Sequence, residues 1–105
     1  MKFKAVILLA RRDDMTADEF RNWWLNDHAP LARQLPGVRK IVFNVCQDNT
    51  DIDGISELWF DSEADFVAAY DADLGRRVAL DSLAHVRSRT RMFVHENVVV
   101  SQGTT

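Results

Sequence analysis

His28 is the side chain whose type and position best suit proton transfer. It stands between Asp27 and Ala29-Pro30, at the edge of an apolar helical stripe. An imidazole titrates near neutral pH and an apolar wall depresses its pKa, so His28 could serve as a general base or acid. An isomerase or cyclase needs such a base, an apolar pocket and a donor for an enolate oxygen. The alternative is that His28 caps a broken helix by bonding to a freed backbone carbonyl.

Two further polar side chains could assist this chemistry. Tyr70 could donate to an oxyanion or orient a carbonyl, or it could be an aromatic anchor with its hydroxyl at the surface. Asn44 stands in an apolar stretch, Val42 to Val45. A buried amide must find partners, which could be a ligand or the backbone of an irregular strand. We therefore predict His28 and Tyr70 as catalytic residues and Asn44 as a ligand-binding residue.

The remaining candidates would line a pocket for a flat organic compound. Aromatic and aliphatic side chains at these spacings can equally be core residues, so both interpretations stay open. His85 lies near the end of the second helical region, where a positive charge also suits the helix dipole. The predicted lining residues, besides Asn44, are Trp24, Leu58, Phe60 and His85.

Several function classes are disfavoured by composition. The 105 residues carry a formal net charge of −3, which argues against binding nucleic acid or an anionic membrane. No apolar run is long enough to span a membrane, and no secretory leader is recognisable. Cys46 is the only cysteine, so we expect a cytoplasmic protein without disulfides. No metal-ligand spacing or glycine-rich phosphate loop is present, so we expect no metal and no cofactor.

The elements that would position these side chains begin with a strand over residues 3–11, which is apolar on both sides. Thr16 and Glu19 have the spacing of a capping box, so a helix begins there. Pro30 removes a backbone donor and clashes with the carbonyl four residues earlier. We therefore expect this helix to kink or break near His28.

The middle of the chain predicts an antiparallel strand pair followed by a second helical region. Residues 38–47 and 55–60 alternate like strands, and the polar segment 48–54 would be their connecting loop. Ser62 with Asp65 predicts another capping box. A helix would follow, interrupted at residues 71–75. A further helical stretch is indicated by Val78, Leu80, Leu83 and Val86.

Residues 91–100 are the last predicted strand, and 101–105 are a loose tail, so residues 1–100 form one domain. The order β-α-β-β-α-β predicts an α+β, ferredoxin-like fold with a four-stranded antiparallel sheet. Both helical regions fall on one face of this sheet, because crossover connections are right-handed. The other face is also apolar and would be left wet in a single chain. A second copy related by two-fold symmetry would cover it, so we predict a homodimer.

Three segments of the sequence resemble motifs of a known family. Residues 16–31, TADEFRNWWLNDHAPL, resemble the first-helix signature of EthD-domain proteins. Residues 35–41, LPGVRKI, are similar to the strand entry that follows, and residues 57–62, ELWFDS, to the third-strand motif with its helix cap. The resemblance covers nearly the whole chain, and the His-Ala-Pro-Leu element after paired aromatics is its most specific part.

This resemblance implies a dimeric α/β-barrel, in which two sheets form one barrel and each subunit has a pocket. Related groups include muconolactone-type isomerases, aromatic polyketide cyclases, cofactor-free monooxygenases and haem-degrading enzymes, and EthD proteins are linked to ethyl tert-butyl ether breakdown. In relatives, the motif position occupied by His28 faces the pocket. The histidine of haem-degrading relatives falls near Leu80 here, which disfavours that activity. The group shares a container and not one chemistry, so the fold alone does not assign a function.

The sequence thus predicts a cofactor-independent enzyme of isomerase, cyclase or monooxygenase type, acting on a small cyclic or aromatic compound in catabolism. His28 would be the acid/base, and Tyr70 and Asn44 would orient polar groups of the substrate. The alternative is a noncatalytic homodimer that binds a small hydrophobic ligand or supports a degradation pathway. A third possibility is a purely structural domain with a solid interior.

Overall fold

Four strands are present in the part of the chain that the computed structural model describes, residues 2–47 and 51–102. They form one sheet in the order β2-β3-β1-β4, and every neighbouring pair is antiparallel. The α+β, ferredoxin-like prediction is therefore confirmed. The strands are β1 (Phe3–Arg11), β2 (Lys40–Val45), β3 (Gly54–Phe60) and β4 (Val86–Val94). The middle of the predicted loop, residues 48–50, lies outside the described residues.

The first helical region begins at the predicted capping box. The Thr16 hydroxyl accepts from the Glu19 backbone N–H at 3.1 Å, and the Glu19 carboxylate accepts from the Thr16 N–H at 2.8 Å. The region then runs without a break through three pieces with different hydrogen-bond patterns. These are α1 (Ala17–Asn22), a π-helical segment (Trp23–His28) and α2 (Ala29–Ala32).

The π-helical segment stands where a kink or break was expected. Pro30 has no N–H for an α-helical bond to Asn26, and its ring crowds that carbonyl. A π-turn relieves this conflict, since its hydrogen bonds reach one residue further back, as in the bond from the Ala29 N–H to the Trp24 carbonyl. The helix therefore widens instead of ending, and His28 stays on its buried face.

The second helical region consists of α3 (Glu63–Asp71) and α4 (Asp73–His85), so the chain is interrupted where predicted. Ser62 caps α3 by accepting from the Asp65 N–H at 3.1 Å, which is one half of the predicted capping box. The predicted further helical stretch is present, although its Leu80 and Leu83 are 65 % and 58 % exposed. The buried face of α4 runs instead through Gly75, Val78 and Ser82.

The last strand begins and ends earlier than residues 91–100. Its register against β1 runs from Arg11 opposite Val86 to Lys4 opposite Val94. β4 therefore ends close to the residue at which its partner β1 begins. Val86 is thus a strand residue and not a helical one. Val98 to Val100 lie beyond the sheet and are largely exposed. Of the predicted tail, residues 103–105 lie outside the described residues.

The two faces of the sheet differ in what covers them. The face toward the helices carries Ala5, Ile7 and Leu9 of β1, all buried. The opposite face of β1 carries Val6 and Leu8, which the chain itself covers only in part. This outer face carries charge beside its apolar residues, since Glu57 lies opposite Val6 and pairs with Lys4 at 2.7 Å.

Candidate functional site

His28 lies inside the protein, between the sheet and the helices. It is the last residue of the π-helical segment and is 4 % exposed. Neighbouring Trp24, from the same segment, is fully buried and stacks on Phe43 of β2 with ring centroids 4.3 Å apart. The His28 ring lies 6.1 Å from the same Phe43 ring. The imidazole therefore has an aromatic wall on the sheet side.

Two side chains of α4 fix the orientation of the imidazole. Nδ1 of His28 lies 2.7 Å from Oδ2 of Asp81, and Nε2 lies 3.3 Å from Oγ of Ser82. A carboxylate only accepts, so Nδ1 carries the proton and Nε2 keeps its lone pair, facing the Ser82 hydroxyl. These partners are side chains, so the alternative in which His28 bonds a freed backbone carbonyl does not describe its contacts.

Trp23 and His85 form a second layer around the same carboxylate. Nε1 of Trp23 donates to Oδ2 of Asp81 at 3.2 Å, and the indole stacks on His85 with centroids 4.3 Å apart. His85 in turn bonds through Nδ1 to the backbone carbonyl of Asp81 at 2.7 Å. Trp23 and the helix therefore fix the position of Asp81. Because Asp81 is fixed, its hydrogen bond to His28 restricts the position of the imidazole.

The environment keeps His28 neutral. Burial lowers the pKa of His28 below that of an exposed histidine, and this outweighs the hydrogen bond and charge of Asp81, which act in the opposite direction. The positive charge of Arg89 also lowers the pKa of His28. A neutral imidazole with an unprotonated Nε2 can accept a proton once the Ser82 hydroxyl turns away, and the imidazolium that results would face the Asp81 carboxylate.

A small internal cavity of about 20 Å³ lies beside the imidazole. This volume fits a water molecule and is too small for an aromatic ring. Its lining combines polar and apolar side chains. Its lining residues are Ile7, Leu9, Trp24, His28, Ala32, Phe43, Ser56, Leu58, Tyr70, Val78, Ser82 and Arg89.

Tyr70 and Arg89 also line this cavity, from α3 and β4. The two side chains act on each other's charge. Burial raises the pKa of Tyr70, although Arg89 acts to lower it, so the phenol stays protonated and can donate. Burial also lowers the pKa of Arg89, but a guanidinium keeps its charge in proteins.

Phe43 separates the cavity from a surface groove of about 260 Å³. The groove lies between β2 and the first helical region, and its lining residues are Leu25, Ala29, Pro30, Arg33, Ile41 and Phe43. Because one ring borders both spaces, a rotation of Phe43 would join them.

The structure brings four of the predicted site residues together and places three elsewhere. His28, Tyr70, Trp24 and Leu58 line the cavity. Asn44 is exposed on the outer face, where its amide donates to the Ile55 carbonyl and to Glu57. The other two predicted residues do not line the cavity: Phe60 packs in the core against Phe66, and His85 stacks on Trp23.

Sequence reasoning missed Asp81, Ser82 and Arg89. Asp81 and Ser82 meet His28 across more than fifty residues of chain, so no local motif joins them. A weak signal existed for Ser82, which follows Val78 by four residues and therefore shares its helix face. Arg89 lies opposite Leu9 in the sheet, and this inward position emerges only once the start of β4 is known.

The described residues contain neither a metal-ligand cluster nor a membrane-spanning helix. Among residues 2–47 and 51–102, no three His, Cys, Asp or Glu side chains are grouped so that they could hold a metal ion. None of the helices in the same ranges has the length and apolar character of a membrane span.

The fold defines the class of the protein, that of ferredoxin-like α+β proteins. The EthD domain model matches residues 12–85. The chain therefore belongs to the EthD family. No curated protein matches its sequence.

Solved structures with the same fold have low sequence identity to this chain. An ethyl tert-butyl ether degradation (EthD) family protein from Bacillus halodurans is similar with a TM-score of 0.81 and 22 % identity, over 92 % of this chain and 100 % of that one. A dimeric ferredoxin-like protein of unknown function from Thermobifida fusca has a TM-score of 0.75 and 16 % identity, over 91 % and 92 %. SnoaB, a cofactor-independent oxygenase from Streptomyces nogalater, has a TM-score of 0.69 and 14 % identity, over 90 % and 92 %.

Proposed function

We propose that this EthD-family chain is a small cytoplasmic enzyme of catabolism that performs acid–base chemistry on a flat cyclic or aromatic compound without a metal or a nucleotide cofactor. The observation that carries the proposal is the buried His28, with Nδ1 held by Asp81 at 2.7 Å and Nε2 beside an internal cavity. Structural packing alone does not require a buried polar network of this kind, which is costly unless its members are satisfied.

The chemistry begins with a proton transfer. Nε2 of neutral His28 takes a proton from an acidic C–H or O–H bond of the substrate, and the negative charge remains on the substrate as an enolate or phenolate. Asp81 stabilises the imidazolium, and the Tyr70 phenol donates to the developing oxyanion. Return of the proton to another atom completes an isomerisation. The same first step serves cyclase and oxygenase reactions, and SnoaB, a protein of similar fold, is an oxygenase.

Substrate entry requires a rotation of Phe43. The cavity of about 20 Å³ cannot hold a ring, whereas the groove of about 260 Å³ outside Phe43 can. Swinging the Phe43 ring toward solvent would break its stack on Trp24 and merge the two spaces. The substrate would then take the place of Phe43 against the Trp24 indole.

A homodimer is the second part of the proposal. The partly covered apolar residues of the outer sheet face give a second copy a surface to bind, and the similar protein from Thermobifida fusca is dimeric. The partner would close a two-chain barrel on the side of the sheet opposite the cavity.

The test is a His28→Asn variant assayed for proton exchange. A panel of cyclic and aromatic compounds with acidic C–H bonds is incubated with the protein in D₂O, and deuterium incorporation is followed by proton NMR. For any compound that the wild type exchanges, we expect the variant to be slower by about 10²- to 10⁴-fold, the usual contribution of a general base. His95→Gln is the matched control, because it removes an exposed histidine that does not line the cavity.

Equal rates in wild type and His28→Asn would overturn the catalytic assignment. Saturable binding of these compounds with no exchange would favour the alternative function, a noncatalytic binder of small hydrophobic ligands. Measured binding of a ring compound by either protein would also exclude a solid interior.

A further inference from the structure

Arg89 is a cation placed on the inner face of an edge strand. It lies opposite Leu9 in the sheet and lines the cavity. Arg91, two residues further along β4, is on the same face but is exposed, and its guanidinium lies over the rings of Phe66 and Phe93. The two arginines therefore share strand and face, while Arg89 alone of the pair borders the cavity.

Arg89 is half-buried and forms no ion pair with a carboxylate of the described residues. A cation that is partly withdrawn from water is stabilised by a nearby negative charge that accepts its hydrogen bonds. The guanidinium therefore offers this cavity a site for an anionic group.

Two buried donors at the same cavity also have no acceptor. Within the described residues, Nε of Arg89 and Nε1 of Trp24 are buried and make no hydrogen bond. Trp24 is fully buried and both residues line the cavity. Buried donors without partners are rare in native proteins and call for an acceptor such as a ligand or water.

We propose that Arg89, together with the Tyr70 hydroxyl, binds an oxyanion of the ligand, so that the substrates are flat ring compounds carrying a carboxylate or an ionised hydroxyl. This inference rests on the proposed function in taking the same cavity as the binding site. The anion would neutralise Arg89 and accept from its free Nε, and the ring would lie along Trp24. An oxyanion bound by Arg89 would place the ring in the cavity that His28 also lines.

The experiment compares isosteric anionic and neutral ligands. Binding of benzoate and of benzamide is measured by isothermal titration calorimetry, and 4-nitrophenolate with 4-nitroaniline forms a second pair that separates a phenolate from a carboxylate preference. We expect the wild type to bind at least one anion about tenfold or more tighter than its neutral partner. In Arg89→Gln this preference should disappear, and in Arg89→Lys, which keeps the charge, it should survive in part.

Arg91→Gln is the matched control because it removes the same charge from the same face of β4 without altering the cavity lining. It should keep the preference for the anion. An equal loss in both glutamine variants would mean a general electrostatic effect and would overturn the proposal. So would the absence of any anion preference in the wild type, whether both ligands bind equally or neither binds, because water would then be the acceptor.

The two proposals can fail independently. Binding preference is measured without turnover, so Arg89→Gln can lose it even if His28→Asn exchanges protons at the wild-type rate, in which case only the catalytic assignment fails. Conversely, catalysis that depends on His28 with no anion preference removes the oxyanion site alone. Circular dichroism of Arg89→Gln, compared with Arg89→Lys, verifies that each variant is folded.

Discussion

At the scale of single residues, His28 couples the candidate site to the stability of the fold. Burial lowers the pKa of His28, Asp81 raises it, and His85 and Arg89 lower it further. Burial is the largest of these effects and lowers the pKa of His28. The folded protein therefore binds a proton at His28 less readily than the unfolded chain does.

The sign of the resulting pH dependence follows from linkage. Since the pKa of His28 is lower in the folded state than the value of about 6.5 in an unfolded chain, the unfolded state binds more protons as the pH falls below about 6.5. We expect the free energy of unfolding to fall as the pH falls from 7 to 5, and part of this slope should vanish in His28→Gln. Urea denaturation across this pH range measures the slope.

The matched variant for this prediction is His95→Gln, which removes an exposed histidine. It should keep the wild-type slope. If His28→Gln keeps the full slope as well, the imidazole does not titrate as its burial requires.

At the scale of the elements, Gly75 decides how closely the two C-terminal helices approach. A Cβ at this position would lie 2.0 Å from the carbonyl oxygen of Ala69 and 2.5 Å from Cα of Tyr70. Both contacts are with the backbone of α3, which cannot rotate away. The junction of α3 and α4, and with it the place of Tyr70 at the cavity, therefore depends on the absence of a side chain.

Gly75→Ala should for this reason destabilise the protein. Helix propensity alone would make this substitution stabilising by about 1 kcal/mol. We expect instead a loss of about 1–3 kcal/mol, the usual cost of forcing extra atoms into a packed site. Chemical denaturation gives the sign, and a stabilised Gly75→Ala variant would show that α3 and α4 do not approach so closely.

The helices and strands were predictable where the signal was local, and the site was not. The capping box at Thr16 and Glu19 is four residues of sequence, and it fixed the start of the first helix correctly. The effect of Pro30 was located correctly but not its form, since a π-turn depends on what the widened helix can pack against. His28 was recognised by its chemistry, whereas Asp81 and Arg89 are recognisable only after folding, because α4 and β4 bring them from distant positions.

At the scale of the whole molecule, the outer face of the sheet is the surface on which assembly depends. Val6 and Leu8 lie on it beside charged side chains, because Glu57 stands opposite Val6 and pairs with Lys4. Antiparallel sheets can present one face to water, so a polar residue here need not disturb the fold. The face can thus be altered with little effect on the core.

The homodimer is tested by two leucine variants of opposite location. Sedimentation velocity at micromolar concentration should show a dimer for the wild type, and Leu8→Glu should shift it to monomer by raising the dissociation constant about 100-fold or more, as loss of a central interface residue does. Leu83→Glu, on the exposed side of α4, should leave the dimer intact. A wild type that sediments as a monomer contradicts the prediction.

The sheet separates the candidate site from the surface proposed for self-association. One side holds His28, Tyr70 and Arg89, and the other side holds the surface offered to a second copy. Successive side chains of each strand point to opposite faces of the sheet. A substitution on one face therefore need not alter the contacts made on the other face. Changes that retune what the pocket accepts can therefore accumulate while the mode of self-association stays the same, and the reverse holds equally.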